Sequence, residues 1–178
     1  MISMWYERHQ QVPQNLKGLV VGHMNPGLTD QGREDARLLW IRWEHVAFDI
    51  CIVPDLNRAI ETAEIVFAGR DVPIVQEARI RGVNFGDYEG RPRLEVAKVR
   101  DQYIDKPFPN GESLTQVLQR FRSFLTDLAN ERDGQTVMIV GTGSDSVAIF
   151  RHLVYGVPLI EALRESGGLP PMLFNVGA

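Results

Sequence analysis

The sequence predicts an α/β fold with a single domain, built as a three-layer sandwich in which a mainly parallel sheet has helices on both faces. Short apolar runs rich in β-branched residues, at 48–53 and 136–140, are typical of strands buried on both faces. Segments with helical periodicity alternate with these runs along the chain. At 178 residues the chain is long enough for one well-buried core and short for two, so residues 1–178 are predicted to form one domain.

The composition excludes several functional classes. Hydrophobic residues make up 44% of the chain, and no stretch approaches the roughly 18 apolar residues that a membrane span needs. A net charge of -4 argues against a nucleic-acid partner, so any anion site must be local. The single cysteine, Cys51, lies in an apolar run and is predicted to be an inert strand residue. Because we find no secretory signal, we expect a cytoplasmic location.

The first predicted strand ends in a charged pair. Ile2, Met4 and Tyr6 alternate along it, and Arg8 and His9 follow where the run becomes polar. Ligands of open α/β sheets bind at the carboxyl ends of the strands. From these residues alone, the alternative is a strand that simply ends in polar side chains. The connection that follows, residues 10–28, is longer than most, and such loops usually carry function or are disordered.

Capping residues and apolar periodicity predict the first two helices. Thr29 is a predicted N-cap, and the helix after it would bury Ala36, Leu39, Trp40 and Trp43 on one face. Pro54 ends the strand at 48–53, and the residue after it, Asp55, can cap the second helix. This places Arg58 in the first turn of that helix, near the carboxyl end of the strand.

The second half of the chain contains two weakly predicted elements, one clearly predicted helix and a terminal strand. A short strand at 72–75 and a helix at about 92–101 are weak predictions. Ser113 and Gln116 form a capping-box pattern at the start of the clearest amphipathic helix. Its apolar face consists of Leu114, Val117, Leu118, Phe121, Leu125 and Leu128. The tail at 167–176 is predicted to be a loop leading into a last short strand.

A glycine-rich turn follows the predicted strand at 136–140. Thr142, Gly143 and Ser144 lie in this turn, and a helix that ends at Gly156 begins directly after it. Free N–H groups at a helix N-terminus form a cradle for anions, so the turn is a candidate ligand site. In the alternative interpretation, Ser144 or Asp145 simply caps the helix.

Motifs along nearly the whole chain now point to one family. In chain order they are Arg8-His9, Asn15, GHMNPGLTDQGREDA at 22–36, PDLNRAIETA at 54–63, NFGDYEG at 84–90 and FPNGES at 108–113. Together they resemble the histidine phosphatase superfamily, also called the phosphoglycerate-mutase-like family. The resemblance implies the same α/β fold.

The resemblance also implies roles for particular residues. In that family a histidine attacks the phosphoryl group and becomes transiently phosphorylated, and His9 matches it. Two arginines, matched by Arg8 and Arg58, hold the phosphate oxygens, which suits a planar guanidinium. Asn15 matches a residue that lines the same pocket. No cofactor is implied.

The resemblance does not extend to three residues that take part in the family's reaction or adjoin its nucleophile. The family's second histidine, which donates to the phosphoryl oxygens in the transition state, is replaced by Thr142. The glutamate that protonates the leaving oxygen is replaced by Gly82. The glycine after the nucleophile is replaced by Gln10, whose side chain would enter the space near the phosphate.

These replacements predict a large loss of phosphatase activity. Removing a general acid costs about 10²–10⁴-fold in rate. Removing one preorganised donor to a developing anion costs about 10²–10³-fold. We therefore expect efficient hydrolysis of alkyl phosphomonoesters, or mutase activity, to be absent.

Other side chains could replace the missing groups. Glu7 lies two residues before His9, so on an extended strand both side chains would point to the same side. It is therefore a candidate catalytic residue, or a glutamate bonded to a loop amide. His23 is a candidate for the missing imidazole, or a solvent-facing loop histidine. Asp145 is a further candidate acid, whereas His45 and His152 are interpreted as structural.

Three functions stay open at this point. The chain is a pseudophosphatase that holds a phosphate or carboxylate, a repurposed enzyme that uses His9 with Glu7 or His23 on another bond, or a slow phosphomonoesterase acting on aryl or acyl phosphates. A metal site of His9, His23 and Glu7 is disfavoured because the spacing typical of metal motifs does not occur. The expected partner is an anionic small molecule, with no nucleic acid or membrane, and a homodimer is possible.

Overall fold

The computed structural model describes residues 1–165 and 171–177, which form one α/β domain around a five-stranded sheet. The strands are β1 (Ile2–Arg8), β2 (Ile50–Val53), β3 (Ile74–Gln76), β4 (Thr136–Gly141) and β5 (Met172–Val176). They lie in the order β3-β2-β4-β1-β5, and only β5 is antiparallel to its neighbour. The predicted mainly parallel sheet is confirmed.

Helices connect the strands. They are α1 (Pro13–Leu16), α2 (Asp30–Trp43), α3 (Asn57–Val66), α4 (Arg93–Val99), α5 (Leu114–Glu131), α6 (Ser144–Tyr155) and α7 (Leu159–Glu165). Short 3-10 turns lie at Ala78–Ile80, Gly86–Tyr88 and Arg100–Tyr103. The helix predicted at 92–101 is therefore shorter and continues as a 3-10 turn.

The two faces of the sheet carry separate hydrophobic cores. Successive residues of β4 alternate between them, with Val137 and Ile139 in one cluster and Met138 and Val140 in the other. Residues of α5, α6 and α7 pack on the first face, whereas α2 and α3 cover the second. This confirms the predicted sandwich with helices on both faces.

The predicted caps are present where a local motif specifies them. The Thr29 side chain accepts a hydrogen bond from the Gly32 N–H at the start of α2. At the start of α5, Ser113 and Gln116 form both hydrogen bonds of the capping box. Gly156 ends α6 in the left-handed conformation, with φ of 70°.

Two local predictions are wrong because tertiary contacts decide them. Trp40 is 41% exposed, whereas Trp43 and Leu39 on the same helix are buried. Asp55 does not cap α3; its carboxylate instead accepts hydrogen bonds from the guanidinium of Arg81. An ion pair with a residue distant in sequence thus replaces the predicted cap.

Other predictions concern single residues and the chain end. Cys51 is fully buried, and burial raises the pKa of its thiol, as expected of an inert strand residue. Of the helices in the described ranges, none is both long and apolar enough to cross a membrane. The tail's predicted last strand is β5, whereas the loop predicted at 167–170 lies outside the described residues.

The capping box makes a prediction about stability. Replacing Ser113 with Ala removes the acceptor for the Gln116 N–H at a buried helix start. We expect the free energy of unfolding to fall by about 1 kcal/mol, measured by urea denaturation. Ser113→Thr keeps a capping hydroxyl and should lose less. Equal losses for the two variants would contradict the capping role.

Candidate functional site

A cavity of about 110 Å³ opens at the carboxyl end of the sheet. β1 and β4 pair there in parallel, with Arg8 opposite Gly141, so the residues that follow both strands come together. The N-terminal turn of α3 adds Arg58, and α1 adds Asn15. This is the edge of an open α/β sheet at which ligands bind.

The cavity brings together most, but not all, of the predicted site residues. Those that line it are Arg8, Asn15, Arg58, Gly82, Thr142, Gly143 and Ser144. Those that do not are Glu7, His9, Gln10 and His23. Five of the seven predicted binding residues thus line the cavity, as do two of the four predicted catalytic residues, Arg8 and Arg58.

Arg58 is a buried cation with one unused donor. Its guanidinium donates from Nη1 to the Met24 carbonyl oxygen at 2.7 Å and from Nη2 to that of Gly22 at 2.8 Å. Its Nε is buried and has no hydrogen-bond partner in the described part of the chain. Burial lowers the pKa of Arg58 to about 10, so the group remains charged at neutral pH. An anion in the cavity would compensate this charge.

Arg8 is a second cation at the cavity, and its guanidinium has no ion-pair partner in the described residues. Across residues 1–165 and 171–177, no protein acceptor receives a hydrogen bond from its guanidinium. Burial is the main cause that lowers its pKa, and the nearby positive charge of Arg93 adds to it. Together with Arg58, this guanidinium provides the planar donors that suit a phosphate or a carboxylate.

His9 is enclosed between two backbone carbonyl groups. Its Nδ1 lies 2.7 Å from the Gln10 oxygen, and its Nε2 lies 3.0 Å from the Thr142 oxygen. Burial, followed by the charges of Arg58 and Arg8, lowers the pKa of His9 to about 3, so the ring is neutral and carries one N–H. The ring donates from one nitrogen at a time, and donation from Nδ1 to the nearer Gln10 oxygen would leave the Nε2 lone pair facing the Thr142 oxygen.

The two positions that replace the family's acid and second histidine are neighbours. A Cβ atom added to Gly82 would lie 2.6 Å from the Thr142 Oγ1. That hydroxyl is 3.3 Å from the Ser146 hydroxyl. This part of the wall therefore presents hydroxyl groups and backbone in place of a carboxyl and an imidazole.

Gln10 does not enter the cavity, contrary to the prediction. Its side-chain Nε2 donates to the Arg8 carbonyl oxygen at 3.1 Å, and its backbone N–H donates to the Thr62 hydroxyl. The side chain folds back along its own backbone. The space near the Arg8 guanidinium is thus not reduced by this glutamine.

Glu7 is also placed differently from the prediction. Its carboxylate accepts hydrogen bonds from Arg42 and from the Trp43 indole on α2, and from the Arg8 backbone N–H. The argument that Glu7 and His9 share a side required an extended strand, but β1 ends at Arg8. The glutamate therefore joins β1 to α2 and does not reach the cavity.

His23 lies next to the Gly82 backbone. Its Nε2 is 2.9 Å from the Gly82 carbonyl oxygen and 3.7 Å from the Glu112 carboxylate. Burial lowers the pKa of His23. The imidazole therefore holds the segment around Gly82 from outside, and it does not replace the missing histidine in the cavity.

Sequence reasoning missed two arginines of the cavity wall. Arg93 begins α4, and Arg100 begins the 3-10 turn after it, about two helical turns away. This spacing, which places both arginines on one side of a helix, was the only indication in the sequence. The fold then brings Arg100, in the 3-10 turn after α4, against the start of α6. There Arg100 Nη1 donates to the Asp145 carboxylate at 3.1 Å.

The polar residues at the start of α6 line the cavity and do not cap the helix. The N-cap is Gly143, and no side chain caps the helix, so neither Ser144 nor Asp145 has the capping role. Both line the cavity.

Within the described ranges no cluster of three His, Cys, Asp or Glu side chains could hold a metal ion, so His9, His23 and Glu7 do not form one.

Known proteins resemble this chain over most of its length. The chain is 31% identical over 159 residues to a 2,3-bisphosphoglycerate-dependent phosphoglycerate mutase of Cytophaga hutchinsonii, covering 82% of this chain and 74% of that protein. It is 30% identical over 176 residues to an adenosylcobalamin/alpha-ribazole phosphatase of Salmonella typhimurium, covering 94% and 87%.

Solved structures show the same fold. The alpha-ribazole phosphatase of Shigella flexneri superposes with a TM-score of 0.79 at 25% identity, covering 91% of this chain and 84% of that one. YhfR of Bacillus stearothermophilus gives a TM-score of 0.79 at 28% identity, covering 96% and 86%. The model of the histidine phosphatase superfamily (branch 1) matches residues 4–166. The chain therefore belongs to the histidine phosphatase superfamily.

Proposed function

We propose that this protein binds an anionic, phosphate-bearing small molecule in the arginine-lined cavity and does not hydrolyse alkyl phosphomonoesters at ordinary enzyme rates. The observation that carries the proposal is that the guanidinium groups of Arg8 and Arg58 line the cavity without an ion-pair partner in the described residues. Arg58 is 1% exposed and keeps a buried Nε without a partner in the described residues. A buried cation left in this state is costly, and a bound anion removes the cost.

The chemistry of the relatives supports phosphate as the anion. The curated relatives include a phosphoglycerate mutase and an alpha-ribazole phosphatase, whose names describe phosphate esters. Arg8 and Arg58 match the two arginines that hold the phosphate in this family. A planar guanidinium donates two parallel hydrogen bonds to phosphate oxygens, which a lysine cannot do.

The cavity wall argues against efficient hydrolysis. Position 82 offers only backbone where the family has its acid, and position 142 offers a hydroxyl where the family has an imidazole. Asp145 is the one carboxyl group among the cavity-lining residues of the described chain, and it is ion-paired with Arg100. Its carboxylate is thus engaged by a guanidinium and does not take the place of the family's acid.

A second candidate function is slow hydrolysis of activated phosphates. The bond from Nδ1 to the Gln10 oxygen leaves the lone pair of His9 on Nε2, which is the tautomer that a nucleophile needs. Nε2 would form a bond to phosphorus while the P–O bond breaks and the leaving group departs as an aryl oxide or carboxylate without a proton. The Thr142 oxygen would first have to move from its place 3.0 Å from Nε2.

The repurposed-enzyme alternative loses its support, because Glu7 and His23 are bonded outside the cavity. A cytoplasmic location and a homodimer stay predictions.

The binding proposal predicts the effect of removing Arg8. Inorganic phosphate should bind the wild-type protein, measured by titration calorimetry at constant ionic strength. Arg8→Gln should weaken binding at least about tenfold, because charged hydrogen bonds to the anion are lost while no hydrogen bond of the guanidinium within the described residues is removed. Arg122→Gln is the matched control, since Arg122 is exposed and does not line this cavity. Equal phosphate affinity in all three proteins would refute the proposal.

The missing groups predict a pattern of activity. Glycerol 3-phosphate should be turned over below about one event per minute, since the acid and the second histidine are absent. With p-nitrophenyl phosphate, whose leaving group needs no proton, Thr142→His should raise any wild-type rate by on the order of 10²-fold. His9→Ala should abolish both rates. Turnover of glycerol 3-phosphate at about 10 s⁻¹ by the wild-type protein would contradict the proposal.

The enclosed histidine predicts a pH dependence. The folded pKa of His9 is lowered to about 3, whereas the unfolded chain has the ordinary value of 6.5. Between these values the unfolded state binds more protons, so stability falls as the pH is lowered through this window. In NMR titrations the ring signals of folded His9 should not move between pH 7 and pH 4.5, whereas those of the urea-unfolded chain should. A folded midpoint near 6.5 would show that the ring is not enclosed.

A further inference from the structure

A larger groove lies away from the arginine-lined cavity, between α5, the end of α6 and the edge strand β5. Its volume is about 460 Å³, against about 110 Å³ for the arginine-lined cavity, and the two have no lining residue in common. Small-molecule sites in proteins measure about 300–1,000 Å³. The groove is therefore large enough for an organic molecule.

The inner side of the groove is apolar. α5 contributes Leu125 and Ala129, which are one helical turn apart, α6 contributes Leu153, and β5 contributes Val176. Leu125 and Val176 are only 8% and 7% exposed and belong to the hydrophobic core on this face of the sheet. An apolar part of a ligand would be withdrawn from water by contact with these side chains.

Arg122 gives the groove a positive charge. It is the only lining residue of the described chain with a permanent charge, and no carboxylate lines the groove. Its side chain is exposed, and its guanidinium makes no hydrogen bond or ion pair within residues 1–165 and 171–177; only its backbone carbonyl oxygen accepts, from Thr126. In a chain of net charge -4, an unpaired guanidinium beside an apolar surface suits an apolar molecule with a carboxylate.

His152 adds a hydrogen-bond acceptor to the groove. Its Nδ1 lies 2.8 Å from the Val157 carbonyl oxygen, which can only accept, so Nδ1 carries the proton of the neutral ring. The other ring nitrogen, Nε2, is then an acceptor, and it has no partner in the described residues. An N–H or O–H group of a ligand would satisfy it. The sequence interpretation of His152 as structural thus accounts for one of its two nitrogens.

The length of the groove follows from α5. The lining residues on this helix run from Arg122 to Asn130, and eight residues of helix extend about 12 Å. A bicyclic aromatic ring with a short acyl chain fits this length. Its ring would lie against Leu125 and Ala129 when its carboxylate is at Arg122.

We propose that the groove between α5, α6 and β5 is a second small-molecule site, which binds an aromatic or otherwise apolar carboxylate that also carries an N–H or O–H group. The carboxylate pairs with Arg122, the apolar body lies on Leu125, Ala129 and Val176, and the N–H or O–H group donates to His152. Inorganic phosphate has no apolar part and is not a ligand of this groove.

Three probes of similar size separate the proposed contacts. Indole-3-propionate has the carboxylate, the apolar ring and the N–H; indole-3-propionamide lacks the charge, and benzothiophene-3-propionate lacks the N–H. NMR titrations of the full-length protein follow the backbone amide signals, so they give both the dissociation constant and the place of binding.

The variants are chosen to act on the groove alone. Arg122→Gln removes its charge, and Ala129→Trp fills it from the helix surface. Arg37→Gln is the matched control, because Arg37 is an exposed arginine on α2, which covers the other face of the sheet. Thermal unfolding without probe checks that each variant is folded.

Indole-3-propionate should shift the amide signals of Leu125, Ala129 and Val176 and leave those of Gly82 and Thr142 unmoved. Wild type and Arg37→Gln should bind it about tenfold more tightly than the amide, and Arg122→Gln should lose this preference. The benzothiophene probe should bind about fivefold more weakly, since one hydrogen bond is missing. Ala129→Trp should weaken all three probes at least about tenfold.

Several results would overturn the second site. They are shifts confined to the arginine-lined cavity, no shift with about 10 mM indole-3-propionate, or unchanged dissociation constants in Arg122→Gln and Ala129→Trp. A wild-type dimer in analytical ultracentrifugation that Ala129→Trp converts to a monomer would show that a second copy of the chain covers the groove instead. Phosphate binding depends on Arg8 and not on Arg122, so the proposed function and this inference fail independently.

Discussion

The hydrogen bonds from the buried Arg58 guanidinium to the carbonyl oxygens of Gly22 and Met24 are the interaction on which the site depends. They tie the long loop after β1 to the start of α3 and hold a cation under the cavity. Glu89 secures the same loop by accepting from the backbone N–H groups of His23 and Met24, and its charge favours the charged form of Arg58. Gly22 has a φ of 55° and lies against Glu89, so a side chain there would be both strained and crowded. The backbone of this loop therefore fixes the position of the Arg58 guanidinium at the cavity.

Gly82 and Thr142 form one continuous part of the cavity wall. Gly82 and Thr142 are so close that a side chain at position 82 requires the Thr142 hydroxyl to turn. The Gly82 carbonyl oxygen is fixed by hydrogen bonds from Arg120 and His23. These bonds need only the backbone, so they persist without a carboxyl group at this position. The position of this part of the wall is thus set by bonds to its backbone and not by a side chain at position 82.

The features that the sequence predicts correctly are those determined by residues close together in the chain. Alternating apolar residues and the capping box at Ser113 depend on near neighbours in the chain, so the strands and the main helices are predicted correctly. Two of the failures involve partners distant in sequence: Asp55 pairs with Arg81, and Glu7 pairs with α2. Arg100 was missed because only the approach of α4 to α6 makes it part of the cavity. Family resemblance located the phosphate-holding arginines, but it could not locate groups that the family does not share.

His9 meets the cavity wall at one contact, that between its Nε2 and the Thr142 oxygen at 3.0 Å. A neutral ring has one N–H, and when it donates to the Gln10 oxygen at 2.7 Å, the contact at Nε2 places a lone pair against a carbonyl oxygen. Such a contact contributes no hydrogen bond, and packing alone maintains it. A ligand phosphate that drew the Thr142 peptide N–H or hydroxyl toward its oxygens would also move this carbonyl away from His9. The anion site and the nucleophile are therefore mechanically linked through the peptide that replaces the family's second histidine.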